Sequence, residues 1–174
     1  MAGIELNALR LTSNAHEAAR RVLQEFPYAH FTSGRRDMAT QARVMAHNVC
    51  LVGVNWLDIY GGKWARIIKT LKTHVSENPE QLKDKAKLAL EFYDIFNTYF
   101  KSELAQFPHI VGRAFDIRWP RLADGTVDQP KWEALCKFIE ELPVELGLEK
   151  LLRREGNVEV IHAQFAMPFK ENIV

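Results

Sequence analysis

Residues 109–116 read His-Ile-Val-Gly-Arg-Ala-Phe-Asp, and this run constrains the fold more than any other stretch of the chain. In a regular strand, positions seven apart face opposite sides of a sheet. For His109 and Asp116 to serve one site the segment must bend or bulge between them, and Gly112 is the natural place, with little side-chain bulk at Ala114. A second such pair comes late, in Glu159-Val-Ile-His162. Glu159 and His162 share a face on a helix but not on a strand, and the β-branched Val158, Val160 and Ile161 favour strand. His162 is therefore expected to point inward, with Glu159 at an irregular strand start.

The residue types suggest zinc chemistry. A catalytic zinc takes three protein ligands from histidine and carboxylate and keeps one position for water or substrate. His109, Asp116 and His162 would supply that set for one Zn²⁺ per chain. Glu159 would be the general base, taking a proton from water and returning it to a leaving amine.

In these residues the chain resembles the zinc D-alanyl-D-alanine carboxypeptidases and dipeptidases and the related phage endolysins that are L-alanyl-D-glutamate endopeptidases. The family pattern is Ser-x-His-x-x-Gly-x-Ala-x-Asp followed late by Glu-x-x-His, and every metal and base position matches in order. An upstream Ser-Gly-Tyr-Arg-like segment corresponds to Ser33-Gly34-Arg35-Arg36, with Gln41 shortly after. The resemblance implies that Arg36 helps to hold the scissile carbonyl, where a fixed guanidinium faces developing negative charge. Two positions depart from the pattern: Phe107 stands in place of Ser, and Ile161 in place of the Trp many members carry. The stretch between Gln41 and Phe107 is longer and more helical than the family core, so the resemblance covers about half the chain.

It implies a peptidase of peptidoglycan stem peptides. Endopeptidase action between L-Ala and D-Glu is preferred to carboxypeptidase or dipeptidase action. The competing class is a non-catalytic wall-binding or virion protein with the same fold.

Other signals are weaker. His16-Glu17-Ala18-Ala19-Arg20 opens like the helical zinc motif His-Glu-x-x-His but lacks the second histidine, and reads as surface charge on a helix. His47 and His74 lie in unrelated contexts, while His30 stands close to the Arg36 segment. Cys50 and Cys136 have no paired spacing and read as small apolar residues. With 174 residues, 47% of them hydrophobic, and a net charge of +1, the chain can build a core but offers no basic field for nucleic acid. Neither a signal segment nor a membrane span is legible. The expectation is a monomer made in the cytoplasm and delivered to the wall, as a phage lysin is.

The expected architecture is α+β: a small antiparallel sheet carrying the metal site, packed with several helices, in a single domain over 1–174 with a helical insertion at about 42–106. Ser13 or Asn14 is expected to cap a first helix that stops at Pro27, followed by a strand at 29–32. Asp37 is expected to cap a second helix running toward Gly61-Gly62, with a third over 64–75. Pro79 opens a long helix with a broad apolar face from Leu82 to Phe100, expected to be buried. Asp124-Gly125 marks a turn and Pro130 the start of a helix. A last helix over 145–154 ends at Gly156, with Glu155 at its end, and the closing strand covers 158–165.

Overall fold

The computed structural model describes residues 5–60, 62–155 and 158–167. The fold is α+β, with a four-stranded antiparallel sheet and a larger helical content. The chain divides into two compact units. One comprises 1–35, 111–155 and 159–174; the other comprises 36–110 and 156–158.

The first unit holds the whole sheet. Helix α1 (Ser13–Glu25) buries Ala15, Ala18, Ala19 and Val22 on one stripe. Thr12, not Ser13 or Asn14, is its N-cap residue, and no side chain bonds there. Strand β1 (His30–Ser33) pairs with β2 (Ala114–Arg118), β2 with β4 (Val160–Phe165), and β4 with β3 (Leu148–Leu152). Between β2 and β3 lies α7 (Gln129–Glu140), begun by Pro130 and capped by the Asp128 carboxylate, which accepts from Lys131 N. The Asp124-Gly125 turn is held by Leu122 N donating to Thr126 O, with Gly125 at φ +86°.

The alternation along β2 and β4 sorts the side chains. Phe115, Ile117, Ile161, Ala163 and Phe165 join α1 and α7 residues in one core. Asp116 and His162, one residue out of phase, occupy the opposite face.

The second unit is helical: α2 (Met38–Val52), α3 (Ala65–Glu77), α4 (Lys85–Tyr99), and two short helices, α5 (Lys101–Leu104) and α6 (Pro108–Val111), whose last residue belongs to the first unit. Helices α2 and α4 pack against each other around Met45, Val49, Leu88, Phe92 and Phe96. Asp37 caps α2 as expected, accepting from Thr40 N at 2.6 Å.

Four further expectations need correction. Helix α2 stops at Val52, because Gly53 takes φ +106°, and a 3₁₀ stretch, Val54–Tyr60, follows. Pro79 opens only a 3₁₀ turn (Pro79–Lys83), and α4 starts afresh where Asp84 accepts from Ala86 N and Lys87 N. The broad face is only partly covered, since Leu88, Ala89, Phe92 and Phe96 are buried while Ala86 and Tyr99 are exposed. The segment expected as a last helix over 145–154 is a 3₁₀ turn (Val144–Leu146) and strand β3, and Glu155 is a buried residue beyond that strand. Gly156, expected at that helix end, and Gly61 lie outside the described residues.

Candidate metal centre

The segment joining the two proposed ligands does bend at Gly112, though not within a strand. His109 sits on α6 and Asp116 at the centre of β2. Gly112 connects them at φ +79°, a conformation L side chains rarely adopt, and a Cβ there would meet Arg10 O at 2.7 Å. Backbone bonds pin this connection: Arg36 N donates to His109 O at 2.9 Å, Thr12 N to Gly112 O at 2.8 Å, and Phe165 N to Arg113 O at 2.8 Å. The Arg113 side chain is buried and its guanidinium donates to Glu149, which also accepts from Gln164.

Asp116 and His162 are directly opposed across the β2–β4 ladder. Opposed residues share a sheet face with Cβ atoms about 5 Å apart, which brings two polar side chains together without further help. His162 Nδ1 and Asp116 Oδ1 lie within hydrogen-bond distance, at 2.9 Å. A register irregularity in β1 sits beside them, between Phe31 and Ser33, with Ser33 opposite Asp116. Bulges of this kind re-aim side chains at sites. Thr32 Oγ1 donates to Asp116 O at 3.4 Å.

His109, Asp116 and His162 are 3%, 3% and 6% exposed, and each offers a ligand atom within 4.8 Å of the others. A tetrahedral zinc with bonds of about 2.0–2.1 Å holds its ligand atoms roughly 3.3 Å apart. Two imidazoles and one carboxylate at this spread, in a buried position, could hold a metal ion after a small inward adjustment.

The other candidate residues stand as follows. Glu159 precedes β4, as an irregular strand start, and its carbonyl accepts from Trp119 N. Its carboxylate pairs with Arg121 and, at 3.9 Å, with Arg154. It is not a member of the three-residue group. Arg36, whose backbone bonds to His109, donates from Nη1 to Gln41 Oε1 at 3.4 Å; Gln41 is fully buried. Phe107, where the family carries Ser, is a core residue packed on Trp64 and Tyr60. Ile161 is buried in the sheet core.

Glu17 takes part in surface pairs with Arg20 and Arg21, which lower its carboxyl pKa to about 2. Burial pushes the Cys136 thiol up to about 11, so it is neither thiolate nor nucleophile at neutral pH. Cys50 is only partly buried. The His30 pKa is lowered by burial and then by Arg118. Arg121 and Arg113 carried no signal in sequence, because their partners lie 38 and 36 residues away.

The fold is α+β, and Asp116 and His162 on its sheet form, with His109 on α6, a buried group that could hold a metal ion. No family model, curated protein or solved structure matches this chain. Among the described residues, no helix is long and apolar enough to cross a membrane.

Proposed function

We propose that this protein is a zinc peptidase of peptidoglycan stem peptides, with endopeptidase action between L-Ala and D-Glu as the preferred specificity. The observation that carries the reading is the convergence of His109, Asp116 and His162 into one buried group. When bound, zinc supplies Lewis-acid polarisation and a water acidified to a pKa of about 7.

The chain's own residues would do the rest. Glu159 takes a proton from the attacking water and delivers it to the amine that leaves, so water is added across the peptide bond and no net proton is consumed. Arg36, adjoining His109 through its backbone and held by Gln41, offers a guanidinium to the scissile carbonyl oxygen. The role asks Glu159 to exchange Arg121 and Arg154 for the substrate. That exchange is cheap, since ion pairs this exposed are worth about 0–1 kcal/mol.

Digestion of purified peptidoglycan, with mass spectrometry of the products, tests the reading. L-Ala/D-Glu cleavage releases peptides with a new D-Glu amino terminus, and Glu159→Gln and Arg36→Ala abolish or greatly slow their release. Free D-Ala instead would make the enzyme a carboxypeptidase. The engagement of Glu159 by two arginines favours one other reading, a non-catalytic wall-binding or virion protein. It predicts sedimentation with wall material and no new termini.

A further inference from the structure

The groove along α2 and α4 has a lining that packing alone does not explain. Its cavity measures about 650 Å³, within the range of sites for small organic ligands. It is lined by small side chains, Ala39 from α2 and Ala86 and Ala89 from α4, and by Leu90 and Tyr93. Leu90 remains 66% exposed.

The polar lining is of one sign. Arg43 and His47 follow Ala39 at four-residue steps on α2, and Lys85 faces them from the start of α4. No carboxylate lines the groove, in a chain with 23 basic and 22 acidic residues, so the bias is local and not inherited from composition. Among the described residues, no Asp or Glu forms an ion pair with Arg43, His47 or Lys85. The acids at the two helix starts have other work: Asp37 feels the Arg43 charge but accepts from Thr40 N, and Asp84 accepts from Ala86 N and Lys87 N.

An apolar slot rimmed by cations that form no direct ion pair complements a carboxylate carried on an apolar body. Neither half suffices alone. Exposed cations give little affinity singly, and a slot of alanines gives no preference for charge. We propose that this groove is a binding site for a small amphipathic carboxylate, its chain or ring lying on Ala39, Ala86 and Ala89 and its head group on Arg43 and Lys85, with His47 as an additional donor. The site shares no residue with the metal group and does not depend on the peptidase reading.

The test uses the full-length protein and octanoate as probe, followed by ¹H–¹⁵N NMR. Octanoate should give saturable shifts confined to α2 and α4. Octanamide, of the same shape without the charge, should bind about tenfold more weakly, the equivalent of one charge-assisted contact. The double variant Arg43→Gln/Lys85→Gln should lose about the same factor, and Ala86→Leu should block binding by filling the groove. Thermal melts of both variants check that they fold. Equal binding of octanoate and octanamide, an unchanged double variant, shifts elsewhere on the chain, or saturation by an acidic peptide where octanoate gives none would each overturn the proposal.

Discussion

At the scale of single residues, Gly112 does more for the metal group than its lack of a side chain suggests. It turns the chain from α6 into β2 at positive φ, and no Cβ fits against Arg10 O. In Gly112→Ala the left-handed backbone and the contact together should cost about 2 kcal/mol or more. The displaced turn separates His109 from Asp116, so zinc affinity should fall along with thermal stability; calorimetry and metal titration on the same sample check both. Glu17 gives a prediction of another kind. Its folded pKa of about 2 lies below the ordinary carboxylate value, so its pairs stabilise the protein above pH 4.5 and that contribution is lost as pH falls toward 2. Because the group is largely solvated, the loss is under about 1 kcal/mol. Glu17→Gln should melt slightly below wild type at pH 7 and coincide with it near pH 2.

At the scale of elements, what was legible in the sequence was what local chemistry decides. Asp37 and Pro130 mark helix starts through capping and a fixed φ, and Gly112 marks the expected bend, although the strand parity that called for it does not apply because His109 lies on a helix. The β-branched run around Ile161 identified β4. Strand β3 was not legible, because Leu148-Glu-Lys-Leu-Leu carries helix-favouring residues and becomes strand only by pairing Leu151 with Ala163 and Leu152 with His162. The start of α4 was hidden in a continuous apolar periodicity, and only the Asp84 carboxylate over Ala86 N and Lys87 N separates it from the 3₁₀ turn before it. Asp84→Ala should therefore cost about 1 kcal/mol and lower the melting midpoint by about 2–4 °C, measurable by circular dichroism without effect on metal content.

At the scale of the whole molecule, three ligand-type residues from distant parts of the sequence meet. The β2–β4 register makes Asp116 and His162 neighbours, and His109 arrives on a short helix fixed through its carbonyl to Arg36. The three could be identified together because their segments occur jointly, in order and at the right spacing, whereas either histidine alone would read as structural. The Arg121 partner of Glu159 could not, since an ion pair across 38 residues leaves no local pattern. The most direct measurement is metal content by mass spectrometry on protein purified without chelator or affinity tag, for wild type, His109→Ala and Glu159→Ala. Wild type should hold about one zinc per chain, retained in Glu159→Ala and lost in His109→Ala. Wild-type protein that holds no metal after zinc is supplied, or His109→Ala that holds as much as wild type, would contradict the zinc assignment.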